Sequence, residues 1–239
     1  MWIDDQSTPS LAPEHLGLRA YIGTPPTGYY ESEGHGRAEP QAFLVESGAE
    51  KPELRTHFHT VNQFQYIARG GGTVGRHAVA PGTVHYADRF TPYGPLRNGP
   101  DGLAYLTLRA TTDMGISYMP DERDTLADNL EQHRIEARGR RTFTLDLTSA
   151  DGDLVGDDDG LRVTVAIADP GRPLTMGPAG GSGAFAVVVA GTVETDDGRH
   201  PTRSLAWCAR ACAISCASTV ARKSSSAPVT WRMPVNTKM

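Results

Sequence analysis

The stretch Thr56-His57-Phe58-His59-Thr60-Val61-Asn62-Gln63-Phe64-Gln65-Tyr66-Ile67-Ala68-Arg69-Gly70 decides how this 239-residue chain is read. In an extended strand, residues two apart leave the same face, so His57 and His59 can send both imidazoles to one side. Two imidazoles so placed form a two-point clamp for a metal ion. Gln63, reached after a turn through Val61-Asn62, can add an oxygen, and His85 on a neighbouring strand a third imidazole. Three imidazoles and one oxygen leave positions open on a five- or six-coordinate ion, which is what a catalytic centre needs.

Around this stretch the chain reads as β structure. Short apolar or alternating runs at 42–45, 63–68, 73–79, 83–86 and 103–108 are separated by turn signals, a rhythm that suits a sandwich or barrel. The 26 Gly and 17 Pro fit a chain with many tight turns and stay below the level of low-complexity disorder. Residues 1–41, rich in Pro, Gly and acids, read as an N-terminal arm with a short helix near 13–18. A polar segment over 120–140, with Leu126, Leu130 and Ile135 as a thin apolar stripe, predicts a connecting helix after a barrel at 42–119. Strand signals return at 142–147, 161–167, 185–189 and 192–194, so 141–209 is expected to be a second β unit. Its only histidine is His200, with no paired-ligand pattern, which predicts one metal per chain. The tail, 210–239, lacks the alternation of a closing strand. It reads either as a helix with Cys208, Cys212 and Cys216 on one face or as a shifted-frame translation without an evolved role.

The motif also resembles the cupin superfamily. That family's first motif sets two His one residue apart, an acid four positions after the second, and a Gly seven further on, as at His57, His59, Gln63 and Gly70. Its second motif places Gly, Pro and Gly ahead of a final His, as at Gly75, Pro81, Gly82 and His85. The resemblance covers about residues 42–110 and implies an all-β fold: a cupin double-stranded β-helix, or jelly-roll barrel, followed by a second, degenerate cupin-like unit. It also implies His57, His59, His85 and Gln63 as ligands of one divalent transition metal, Fe(II) first, with Mn, Ni, Cu or Zn suited to the same donors. Three departures stand out: Gln63 replaces the acid, Pro81 and Gly82 are adjacent, and Arg89 replaces the Asn four residues after the last His. A neutral carboxamide leaves the ion nearly its full charge, which favours an anionic oxygen ligand from the substrate.

The remaining histidines, His15, His35, His77, His133 and His200, read as core or surface groups. Phe58, Phe64, Tyr66, Tyr86 and Phe90 read as barrel core, with Tyr66 and Phe90 also candidates, beside Gln65, for lining a substrate pocket. Tyr93, in Phe90-Thr91-Pro92-Tyr93-Gly94-Pro95, is expected on a loop at the barrel mouth with its hydroxyl toward substrate, making Tyr93 and Gln63 the candidate catalytic groups.

Other chemistries are disfavoured. The Arg69-Gly70-Gly71-Gly72 run lacks phosphate-loop spacing, Ser182 has no nucleophile-elbow glycines, and Asp157-Asp158-Asp159-Gly160 reads as a solvated turn. A formal net charge of −5 and a pI of about 5.9 offer no basic face to nucleic acid. No stretch has the length of a membrane span and the start has no basic-then-apolar leader, so a cytoplasmic location is expected. Three clustered cysteines are a poor basis for disulfides. The resemblance leaves three functions open: a dioxygenase acting on a small enol, enolate-type or aromatic substrate, a regulatory or ligand-holding protein similar to pirins, and a metal-dependent isomerase or lyase. It also implies a homodimer paired through the sheets.

Overall fold

A computed structural model describes residues 2–3, 10–11, 17–23, 39–51, 53–113, 115–136, 139–167, 173–176, 183–209, 214–218 and 228–232. The chain divides into two compact units, one built on residues 9–146 and the other on residues 147–236 with the first residues of the chain. The expected all-β jelly-roll architecture is present, with every named strand pairing antiparallel.

In the first unit an eight-stranded sheet runs in the order Thr142–Asp146, Thr83–Ala87, Gln63–Val74, Leu96–Arg109, Gln41–Ser47, Gly17–Ile22, Ser10–Leu11, with His77–Val79 folded back on Gln63–Val74. A second small pairing joins His57–Phe58 to Ser117–Tyr118. Alternation sorts the side chains. Phe43, Val45, Ile67, Leu103 and Tyr105 join one buried cluster with Leu96 and Tyr93. Burying such side chains stabilises by about 1.5–3 kcal/mol each. Glycine is required at Gly70, where φ is +66° and a Cβ would run into the backbone of Gly102. The ladder shifts register beside it.

The helix Arg123–Gln132 lies within the segment read as helical. Its Leu126 packs with Phe58 and Phe90, and Leu130 and Ile135 lie against the same cluster, as an apolar stripe at helical spacing requires.

In the second unit, one sheet runs Trp2–Ile3, Leu205–Cys208, Ala184–Val188, Pro228–Arg232, Arg162–Val165, Gly152–Gly156. The other runs Pro173–Met176, Ile214–Ser218, Thr192–Thr195, Gly198–Pro201.

Four expectations are corrected. The strand Thr142–Asp146 does not open the second unit, because it pairs along its whole length with Thr83–Ala87. Residues 1–41 are not merely an arm: Gly17–Ile22 completes the first unit's sheet against Gln41–Ser47, and Trp2–Ile3 pairs with Leu205–Cys208. The short helix expected near 13–18 falls mostly outside the described residues, and Gly17 and Leu18 are already strand. The tail is not an irregular appendage, since Pro228–Arg232 sits between Arg162–Val165 and Ala184–Val188 and bonds to both. Cys216 lies in a strand, which removes the helix carrying three cysteines. Cys208 is disulfide-bonded, contrary to the reading of three clustered cysteines as a poor basis for disulfides.

Candidate metal centre

Strand register builds the centre. Thr144 faces His85, His85 faces Gln65, Gln65 faces Thr107, and Thr107 faces Phe43 across four neighbouring pairs. Directly opposed residues share a face, so one rank of side chains crosses the inner surface of the sheet. Gln63 and Arg109 end the adjoining strands one step along. His57 and His59 arrive from the other side, where His57 and Tyr93 exchange both backbone hydrogen bonds, at 3.1 and 3.0 Å.

All three sequence-identified imidazoles are buried, and each has its Nδ1 tied outward. His57 Nδ1 donates to the Arg55 carbonyl at 2.7 Å. His59 Nδ1 lies 2.7 Å from Asp113 Oδ2 and 2.9 Å from the Gly115 carbonyl. His85 Nδ1 lies 3.0 Å from Thr144 Oγ1. Anchoring one ring nitrogen to an oxygen fixes the tautomer and turns the other toward a ligand, the arrangement that metal-binding histidines use. The Nε2 of His85 is buried with no partner among the described residues. Burial first, then the neighbouring His59, Arg109 and His85, pushes His57 down to about 3, while burial and then His77 push His85 down to about 4. Both rings are therefore neutral near pH 7.

Two residues at the centre escaped the sequence reading. Arg109 and Asp113 are 5% and 0% exposed and lie 3.3 Å apart. Burial alone would raise the Asp113 carboxyl, but Arg109, His59 and Thr60 outweigh it and hold the group well below the usual carboxylate range. Asp113 also accepts from Thr60 N and Oγ1 at 3.1 and 3.0 Å, while its own N–H donates to the buried Gln41. Arg109 continues the alternation Tyr105, Thr107, Arg109 onto the inner face. That spacing was the available signal, masked by the usual placement of Arg at a surface.

The expected positions of the other residues are partly revised. Tyr93 does not sit on a loop at the barrel mouth: it is 6% exposed, donates its hydroxyl to His57 Nε2 at 2.9 Å and accepts from Gln63 Nε2. The Gln63 oxygen turns the other way and accepts from Arg109 Nε at 3.0 Å. Gln65 lines the cavity described below. Phe90 instead packs with Phe58 and Leu126, and its ring stacks on His133 at 5.4 Å. Tyr66 is buried on the alternate face from Gln65, away from the cavity lining. Among the described residues no three His, Cys, Asp or Glu side chains close on one point, because the Tyr93 ring lies 4.5 Å from that of His57 and 4.9 Å from that of His85.

Beside the histidines lies a cavity of about 50 Å³, room for a few water-sized groups. His57, His59, Gln65, Arg109 and Asp113 form its polar side, and Leu18, Phe43 and Leu54 its apolar side. Arg109 Nη2 reaches His59 Nε2 only at 3.5 Å, the outer limit of a hydrogen bond, so that lone pair is scarcely engaged. The imidazoles are suitable donors for a divalent ion, but His57 Nε2 is bonded to Tyr93 and His59 Nε2 faces Arg109, so the described side chains do not form a preassembled site.

Among the described residues no helix is long and apolar enough to cross a membrane. No family model matches the sequence, and no curated protein matches it. Solved structures do match over nearly the whole chain. A bacterial pirin from Escherichia coli, solved in complex with nickel(II), is 12% identical with a TM-score of 0.61, covering 98% of this chain and 99% of that one. A candidate dioxygenase from Nostoc punctiforme is 10% identical with a TM-score of 0.64, covering 100% of this chain and 84% of that one. Oxalate decarboxylase from Bacillus subtilis is 9% identical with a TM-score of 0.58, covering 98% of this chain and 76% of that one. At these identities the likeness is one of fold: the chain shares the jelly-roll architecture of these three proteins.

Proposed function

We propose that this chain is a metal-dependent oxidoreductase of dioxygenase type, acting on a small enol or enolate, with one divalent ion held by His57, His59 and His85. The observation that carries the reading is the triple outward anchoring of Nδ1 on three buried imidazoles, two of them held neutral by burial. The nickel named for the pirin and the Mn(II) named for the oxalate decarboxylase support a divalent transition metal on this fold. Fe(II) fits the proposed oxygen chemistry. Bound there, such an ion supplies Lewis acidity that favours the ionised form of an enol.

The protein's own groups set the substrate. Arg109 presents a guanidinium to the cavity while Asp113 balances its charge, so an anionic oxygen entering beside the imidazoles meets a fixed cation. Asp113 orients His59, and Gln63 holds Arg109 and Tyr93 in place. The cavity beside Arg109, about 50 Å³, suits a small anionic enolate.

A second reading, a ligand-holding regulatory protein, is favoured by one contact: the Tyr93 hydroxyl already occupies His57 Nε2. Elemental analysis followed by oxygen uptake with Fe(II) and acetylacetone, a small β-diketone, or a flavonol separates the readings. Oxygen uptake with acetylacetone and not the flavonol is expected. Metal and ligand binding with no oxygen uptake for any enolisable acid or diketone would favour the regulatory reading, and absence of bound metal would remove the metal reading.

A further inference from the structure

Arginines gather where the strands Thr83–Ala87 and Thr142–Asp146 end. The two pair in register from Thr83↔Asp146 to Ala87↔Thr142, and one step further the Asp88 N–H donates to the Arg141 carbonyl at 2.9 Å. The next residues outward on the two segments are Arg89, which departs from the histidine motif, and Arg140.

Asp88 can serve only one of the three guanidiniums. Its Oδ2 accepts from Arg141 N and Nε at 2.6 and 3.0 Å, and its Oδ1 accepts from Arg141 Nη2 and the Tyr86 hydroxyl at 3.1 and 2.5 Å. A carboxylate has about four acceptor sites, so Asp88 is full. Arg140 is left with Nε and Nη1 buried and without a partner among the described residues. Arg89 is half-buried as well: its backbone N–H bonds to Asn62, while its guanidinium lies 5.9 Å from the Phe90 ring. Burial pushes both guanidiniums below their ordinary value, and Asp88 is the described carboxylate that opposes the shift. Both still carry their charge near neutral pH. Buried donors call for acceptors, and like charges on neighbouring segments call for a counter-charge.

We propose that Arg89 and Arg140 form an anion site for a phosphate group at the end of the Thr83–Ala87 strand. Three guanidiniums against one carboxylate leave two positive charges, which a dianion matches and a monocarboxylate does not. Guanidinium donors suit phosphate oxygens, and a tetrahedral group can accept from two arginines at once. The site is made of residues outside the histidine centre and does not depend on a bound metal.

Calorimetric titration of the full chain with inorganic phosphate, at low ionic strength and about pH 8, where phosphate is the dianion, tests the assignment. Saturable binding of one ion per chain is expected. Arg89→Gln and Arg140→Gln should each weaken it by at least about tenfold, and Arg140→Lys, which keeps the charge and loses the fork, by less. Arg199→Gln, at an exposed arginine of the other unit, should leave it within about twofold. Without phosphate, Arg140→Gln should melt no lower than wild type because it removes an uncompensated cation, and added phosphate should raise the melting temperature of wild type alone. Tighter binding of glycerol 3-phosphate than of inorganic phosphate would assign the site to a phosphate ester, and equal binding to the free ion. No saturable phosphate binding by wild type, unchanged affinity in both glutamine variants, or acetate bound as tightly as phosphate would overturn the proposal.

Discussion

The Tyr93 hydroxyl donates to His57 Nε2 across 2.9 Å while the backbones of the same two residues pair as an isolated β-bridge. Main chain and side chain therefore hold Tyr93 against His57 at once. From Arg109 Nε through the Gln63 amide and the Tyr93 hydroxyl to His57 and the Arg55 carbonyl, every donor points the same way. Burial pushes the Tyr93 phenol well above its ordinary value, which keeps it a donor in this chain. Tyr93→Phe is expected to free His57 Nε2 and raise metal affinity several-fold, measured by Ni(II) titration; reduced affinity would show that the hydroxyl itself helps to hold the ion.

Acid should destabilise the metal-free protein. His57 and His85 are pushed from 6.5 down to about 3 and about 4, so between those values and 6.5 the unfolded chain binds protons that the folded chain refuses. Their contribution is complete above pH 6.5 and is lost as the pH falls toward about 4 for His85 and about 3 for His57, at about 1.4 kcal/mol per unit for each ring. At pH 5 that amounts to about 2 kcal/mol per histidine. Chemical denaturation at pH 7.5 and pH 5 measures it, and His85→Gln should lower the difference by about half.

Asp113 is the counter-charge on which the centre depends. Asp113→Asn leaves Arg109 buried and unpaired, a loss of about 3–5 kcal/mol for a broken buried ion pair. It also loosens the His59 ring, which should weaken metal binding about 10- to 100-fold. Denaturation and Ni(II) titration on one preparation read both effects. Unchanged metal affinity would mean that Gly115, and not Asp113, orients His59.

His85→Ala is expected to abolish stoichiometric metal binding at micromolar ion, because it removes one of three imidazoles. Gln63→Ala should retain about one ion per chain while substrate affinity falls, since Arg109 loses its partner. Elemental analysis after desalting decides this. Equal metal loss in the two variants would reverse the hierarchy of donors.

Truncation before Pro228 removes a strand bonded on both sides, between Arg162–Val165 and Ala184–Val188. The second unit should then become sensitive to proteolysis, with cleavage between residues 147 and 209. Resistance equal to that of the full chain would show the strand to be dispensable.

Alternation around His57, His59 and His85 was enough to read a sandwich or barrel, because period-two patterning is local, and the jelly roll came from the resemblance of their spacing to the cupin motifs. The sequence could not show the role of the tail, although Val229 and Trp231 alternate with Thr230 and Arg232, because a five-residue alternation carries little weight until two unpaired strand edges are known to await it. Nor could it show that Arg109 and Asp113 lie beside the buried histidines. Those roles depend on what stands across the sheet: Arg109 turns the Gln63 oxygen away, register sets Gln65 against His85, and burial makes a surface-type ion pair a structural element of the site. Facing directions along a strand belong to the chain, whereas partners across the sheet and the electrostatics of burial belong to the folded molecule.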